Sequence, residues 1–342
     1  MSATLRHAGF PTAPWAPPRM VERSPSIVLR CPECRRDMIG VSYHLLAQYG
    51  PSFSCLGCSA TVKQHQEIWL ALPESRQPYF AQFVREYEQI RRAEGRESSD
   101  AEFYVALPFR DLTGNHAWQW KIRGKTFRYI VRKILPKLMR KANSPLAILD
   151  LGAGNSWMSY RLARLGHRPV AIDLLTNSHD GLGAASHYRS VLPELFPRFQ
   201  AELDNLPFGD GQFDCAIFNA SFHYSENYDR TLTEAVRCLR PGGAILIADS
   251  PTYSKDASGQ QMQKERQESF QKQFGFRSDG LASCEYLTPE RLRALKVRHE
   301  LEWTVHRIWY GIRWACRPMV AKWKNRREPS QFFLYSAQVK AR

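Results

Sequence analysis

No run of about 18 consecutive apolar residues occurs in the 342-residue sequence, so no bilayer-spanning helix is expected. The N-terminus, MSATLRHAGFPTAPW, lacks the apolar core of an export signal, and residence in the cytoplasm is the expectation. With eight cysteines and no such signal, free thiols or metal ligands are expected rather than disulfides. A G-x-x-x-x-G-K-[ST] phosphate loop is absent. The G-x-G of Gly152 and Gly154 has Trp157 where a dinucleotide fingerprint needs its third glycine, so pyrophosphate binding lacks its signature here. Residues 121–141 contain no acid against nine Lys and Arg.

What is present centres on Ala147–Trp157, AILDLGAGNSW. Its pattern predicts a buried strand to Leu151, a glycine turn through Gly152, Ala153 and Gly154, and a helix running to about Leu165. A second apolar strand, Pro169–Ile172, ends on Asp173. A tight turn followed about 20 residues later by an acid is the geometry of a nucleoside pocket at the carboxyl end of a parallel sheet. Asp150, before the turn, suits a cationic amino-acid moiety and repels a pyrophosphate. This stretch resembles motif I of the class I S-adenosylmethionine (SAM)-dependent methyltransferases, and Asp173 stands where that family has its ribose-binding acid. The later segments AELDNLPF (201–208), FDCAIFN (213–219) and LRPGG (239–243) follow in the order and spacing of the same family's later motifs.

The resemblance implies an α/β, Rossmann-like sheet of seven strands, with strands at 146–151, 169–173, about 198–201, 213–219 and 244–249 and a final antiparallel strand within 331–339. It implies SAM as cofactor. Asp150, Gly152, Ala153 and Gly154 would line its methionine side, Asp173 its ribose and Glu202 its adenine edge, with Leu203 and Asn219 also in the cofactor site. The segment 176–187, TNSHDGLGAASH, reads as a flexible loop beside the ribose.

Upstream, residues 1–26 are proline-rich with few apolar anchors and read as a disordered arm. Cys31-Pro-Glu-Cys34 and Cys55-Leu-Gly-Cys58 then form two C-x-x-C pairs separated by 20 residues. Two knuckles can present four thiolates to one structural Zn2+, a tetrahedral site with no open position, and Gly57 suits a strained second knuckle. The expected divisions are a zinc ribbon at 27–73, a helical pre-domain at 74–141, and the methyltransferase domain at 142–342 with a helical insertion at about 252–300 that could act as a lid. The ribbon resembles modules that accompany some methyltransferases, including rRNA enzymes.

The net charge of +15 is uneven. Residues 142–289 carry 13 basic against 17 acidic side chains, whereas 290–342 carry 13 against four. The basic stretch 118–138 reads as a helix, and in the family such helices border the active site. Arg110, Asp111, His116 and Trp118 are candidates there. The tail 303–327 interleaves tryptophans with basic residues, a pattern that suits single-stranded nucleic acid, a peripheral membrane contact, or inward packing.

The strand exit Asn219-Ala-Ser-Phe222-His223-Tyr224 lacks the Asn-Pro-Pro-aromatic motif of many amine methyltransferases. It is similar to the ubiquinone/menaquinone type, in which aromatics and a histidine close the pocket. His223 is the candidate general base. A small-molecule or lipid-like acceptor is therefore the first reading. An RNA acceptor, read by the ribbon and basic segments, is the second, and a non-catalytic SAM-binding scaffold is the third.

Overall fold

The computed structural model describes residues 26–340 apart from 49, 51 and 143. The arm expected over 1–26 thus lies outside the described residues, save Ser26. The strands are β1 (Ser26–Arg30), β2 (Asp37–Ser42), β3 (Phe53–Ser54), β4 (Thr61–His65), β5 (Ile68–Leu70), β6 (Ala147–Leu151), β7 (Arg168–Asp173), β8 (Arg198–Gln200), β9 (Phe213–Asn219), β10 (Leu239–Ala248), β11 (Thr304–His306) and β12 (Leu334–Gln338). All but β1 and β2 form one sheet in the order β11-β12-β10-β9-β6-β7-β8-β5-β4-β3.

The central strands β10, β9, β6, β7 and β8 run parallel. Parallel strands are covered on both faces, so they read as unbroken apolar runs. AILDL of β6 is buried at every position, Asp150 included. The strands β12 and β11 add antiparallel at one edge, completing the seven strands expected from the sequence. The strand expected from 244 begins at Leu239. The Arg240–Gly243 turn is absorbed into it as a register shift against β9, with Gly242 at φ +77.

At the other edge the structure departs from a separate ribbon. Strand β5 pairs parallel with β8, matching Trp69 with Phe199 and Leu70 with Gln200, and β4 and β3 follow antiparallel. The short, apolar edge of β8 would otherwise lie open. Trp69 covers it: the ring is fully buried, lies 4.6 Å from Phe53 and 6.3 Å from Phe199, and its Nε1 donates to Leu46 O. Ile27, Leu29 and Trp69 belong to the same core as Ile148, Ile172 and Ile217, whereas Leu72 and Phe80 pack with Leu281 in a smaller cluster.

The long basic helix runs as Ala117–Tyr129, a π-helical turn Ile130–Ile134, and Leu135–Ala142. Pro136 explains the widened turn, since it has no N–H to donate and its ring crowds the carbonyl four residues earlier. In the insertion, Asp256–Phe274 and Pro289–His299 are helical, the second capped by Thr288 Oγ1, which accepts from Arg291 N at 3.2 Å. The tail folds as two short helices, Ile312–Ala315 and Arg317–Trp323. Its aromatics divide: Tyr310 and Trp314 are buried, whereas Trp309 and Trp323 are 64% and 82% exposed.

Candidate active site

The turn after β6 is built by backbone. Gly152 and Gly154 sit at φ +73 and +53, which side chains disfavour. A Cβ on Gly152 would come within 2.3 Å of Ser221 Cβ. The N–H groups of Gly152 and Ala153 donate to Ile172 O, tying the turn to β7. Asp173, at the end of β7, accepts from Gly154 N at 2.7 Å and from Leu175 N at 2.9 Å. Burial still pushes its carboxyl up to about 6.

This turn floors a cleft of about 830 Å3 of empty space open to solvent. Of the residues expected in the cofactor site, Gly152, Gly154, Asp173, Glu202 and Leu203 line it; Asp150, Ala153 and Asn219 do not. The reason for Asp150 is local. Its Oδ2 accepts from Ser159 N at 3.0 Å and Ser159 Oγ at 2.7 Å, so it holds the helix Trp157–Arg164. Burial raises that carboxyl to about 7. Ala153 is buried, its N–H spent on β7, and Asn219 is half-buried in β9 with an Oδ1 that has no partner among the described residues. Glu202 is held by Arg76 through hydrogen bonds of 2.9 and 2.8 Å.

The remaining wall comes from places the sequence did not point to. Phe80, Phe83 and Tyr87 project from the helix Gln77–Ala93, which lies in the span expected to be helical. The charged lining is acidic throughout: Asp173, Glu202, Asp204 and Glu226, with no Lys or Arg. Such a site fits a ligand with net positive charge, as SAM has in its sulfonium and ammonium groups, and opposes a pyrophosphate. The segment 176–187, expected as a flexible loop, is packed. Asn177 Oδ1 accepts from three backbone N–H groups, Asp180 pairs with Arg91, and His187 stacks on Tyr104 at 4.3 Å.

A second cleft adjoins the first. Phe83, Tyr87, Ala220, Tyr224 and Leu281 line both. It lies at the carboxyl ends of β9 and β10, where Ala220 and Asp249 both turn left-handed, at φ +56 and +53. Non-glycine residues held there cost about 1 kcal/mol or more each and gather at functional sites. His223 lines this cleft, 3.4 Å from Ser250 Oγ through Nδ1. Burial and the charges of Arg266 and Arg123 push its pKa down to about 3, which makes it a neutral ring and a weak base, contrary to the role the sequence suggested. Asp249 was overlooked. It is 4% exposed, its Oδ1 accepts from Thr126 Oγ1 at 2.7 Å, and its Oδ2 has no partner among the described residues. Burial raises it to about 6. Of the pre-domain candidates Trp118 lines the cleft, while Arg110, Asp111 and His116 do not. Asp111 instead shapes its own loop, accepting from Thr113 N and His116 N.

The four cysteines converge as expected. All four Sγ atoms lie within 4.8 Å of one another, with Cys31–Cys58 and Cys34–Cys55 at 3.5 Å. Four sulfurs at about 2.3 Å from one tetrahedral Zn2+ are about 3.8 Å apart, so the set fits that ion. The two knuckles repeat one geometry: Arg35 N donates to Cys31 O and Ser59 N to Cys55 O, with Arg35 and Ser59 at φ +65 and +60. The strained position is thus Ser59, not Gly57. A Cβ on Gly57 would lie 2.7 Å from Cδ of the exposed Arg36 side chain, which would have to move aside.

Residues 149–247 match the family described as a methyltransferase domain. Over 168 residues the chain is 27% identical to the demethylmenaquinone methyltransferase of Mycobacterium tuberculosis, covering 49% of this chain and 68% of that protein. It is 33% identical over 107 residues to the fatty-acid O-methyltransferase of Mycolicibacterium smegmatis, covering 31% and 38%. With the malonyl-(acyl-carrier protein) O-methyltransferase of Buchnera aphidicola it shares 26% identity over 106 residues, covering 30% and 39%. The last two matches span less than half of those relatives.

Proposed function

We propose that this chain, whose residues 149–247 match the family described as a methyltransferase domain, transfers a methyl group from SAM to a small-molecule or lipid-like acceptor. The observation that carries this reading is the pair of adjoining clefts, one acidic and floored by the Gly152–Gly154 turn, the other opening beyond Ala220. SAM fits the first by charge. Gly152 and Gly154 leave room beside the turn, Asp173 faces the ribose, and Glu202, steadied by Arg76, faces the adenine. SAM, when bound, supplies an electrophilic methyl on sulfur. The protein's part is to hold donor and acceptor in line and exclude water. Asp249, in the lining of the second cleft, takes the proton of an O–H or N–H nucleophile, the role first given to His223. Ala220 N donates to Ala248 O, which sets Asp249 one residue from the wall the two clefts share.

The names of the relatives, acting on a quinone precursor, a fatty acid and an acyl-carrier thioester, support a small or lipid-like acceptor. Of the nine basic residues in 121–141, three turn toward the protein, while Lys121, Arg132, Lys133, Lys137, Arg140 and Lys141 are exposed. Arg123 lines the second cleft, Arg128 lies over Phe109, and Lys125 donates to Trp309 O. The cysteine cluster serves as a structural Zn2+ site. Its knuckle residue Arg35 reaches Asn205 and Glu234, and Asn205 donates to Pro32 O, so the metal braces the 202–208 loop of the cofactor cleft.

The test is incubation of the protein with methyl-labelled SAM and an extract of the source cells, followed by separation into RNA, protein and organic-soluble fractions. Label in the organic fraction is the expected result. Label in RNA alone would overturn the acceptor class, and SAM binding without transfer to any fraction would favour a scaffold.

A further inference from the structure

The second cleft has a charge balance that its own side chains leave incomplete. Five guanidinium groups line it, from Arg91, Arg96, Arg123, Arg266 and Arg317. Three are matched: Arg91 by Asp180, Arg96 by Glu94, and Arg266 by Glu285. That leaves Arg123 and Arg317 without an acid of their own in the lining, where Asp249 is the one carboxylate not already paired with an arginine. Among the described residues Arg123 has no hydrogen-bonded or ion-pair partner; its guanidinium lies over Trp120 at 4.8 Å. Arg317 likewise lies over Trp314 at 3.9 Å and makes no ion pair among the described residues. Even Arg266 keeps a buried Nε without a partner. Half-buried guanidinium groups with unused donors in a cleft, beside a fully formed ion pair for each of their neighbours, are unusual unless something else completes them.

Much of the rest of the lining is aromatic: Phe83, Tyr87, Trp118, Phe270, Trp314 and Phe332. We propose that this cleft binds an acceptor with an apolar ring or acyl body and one oxyanionic group, seated on Arg123 with Arg317. The term acceptor rests on the methyl-transfer reading; the oxyanion site does not. The contrast with the first cleft sharpens the assignment. Cofactor and acceptor enter adjoining sites of opposite sign, which sets their order in space and keeps each out of the other's place. The planar fork of Arg123 favours a carboxylate or a phosphate over a halide or a neutral carbonyl. The body of the ligand decides specificity by fitting the aromatic wall.

Binding of simple probes to the full-length, zinc-loaded protein saturated with S-adenosylhomocysteine tests this by calorimetry. Benzoate and decanoate are compared with benzamide and decanamide, and with phenyl phosphate. The anionic probes are expected to bind at least tenfold more tightly than their neutral counterparts, and benzoate against phenyl phosphate distinguishes the two oxyanions. Arg123→Gln removes most of that preference and Arg123→Lys restores part of it, while affinity for S-adenosylhomocysteine stays within about twofold. Arg317→Gln, on the separate helix Arg317–Trp323, supplies a second variant whose loss of preference is independent of the helix that carries Arg123. Equal affinity for benzoate and benzamide in the unmodified protein overturns the proposal, as does a preference unchanged in both variants. Anion preference with no binding of S-adenosylhomocysteine would uphold this site and overturn the methyl-transfer reading instead.

Discussion

Arg76 holds Glu202 by two hydrogen bonds, Nε to Oε1 at 2.9 Å and Nη2 to Oε2 at 2.8 Å, across the seam between the cysteine-bearing strands and the parallel sheet. Glu202 is 6% exposed and lines the cofactor cleft, so its position depends on a residue outside the methyltransferase domain proper. Arg76→Ala should leave a buried carboxylate without its bidentate partner. A tenfold or greater loss of SAM affinity is expected by calorimetry, consistent with about 1.5–3 kcal/mol for a charged hydrogen bond. Glu202→Gln should lose less, because an amide keeps one acceptor.

The cysteine cluster predicts one zinc per chain by elemental analysis. Removing the metal with a strong chelator should release the knuckle at Arg35, loosen the 202–208 loop through Asn205 and Glu234, and lower SAM affinity. Cys34→Ser should do the same. An apoprotein with undiminished SAM affinity would separate the metal from the cleft.

Asp150 makes a pH prediction. Its folded pKa, about 7, lies above the ordinary carboxylate value because of burial. Its contribution to stability is therefore fully present below about pH 4 and is lost as pH rises through 7. Asp150→Asn, which can still accept from Ser159 through its amide oxygen, has no such titration. The variant's unfolding free energy should gain on that of the unmodified protein between pH 4 and 7, by an amount on the order of a few kcal/mol.

Asp249 and His223 divide the proton chemistry. With His223 held neutral and its pKa at about 3, His223→Gln should reduce methyl transfer less than tenfold and leave the pH profile in place. Asp249, at about 6, is the base above that pH, so the rate should rise as pH passes through 6 and level above it. Asp249→Asn should flatten that limb and lower the rate by a factor on the order of 100 to 10,000.

Much of the cofactor side could be read from the sequence because it is local. The turn from Leu151 to Gly154, the acid at Asp173 and the cysteine pairs each lie within a few residues of one another or recur at fixed spacing. The hydrogen bonds of Asp150 were not legible: Ser159, nine residues on in the first turn of the next helix, donates to its Oδ2. The acceptor cleft was hardly legible. Its walls come from residues 83–123, 220–224, 249–283 and 314–332, brought together only by the sheet. Arg123 looked like one of nine solvated charges until the helix's orientation turned it inward. The pairing of β5 with β8 was equally hidden, since a three-residue strand has too little pattern to reveal its partner.

Methyl transfer through the paired clefts is most directly tested by Asp173→Ala alongside the unmodified protein, with SAM affinity measured by calorimetry and labelled methyl followed into the organic-soluble fraction of a cell extract. The account predicts tight binding and organic-soluble label for the unmodified protein, and loss of both when Asp173 can no longer face the ribose or hold Gly154 N. Undiminished binding and transfer in Asp173→Ala would contradict the assignment of the cofactor to this cleft.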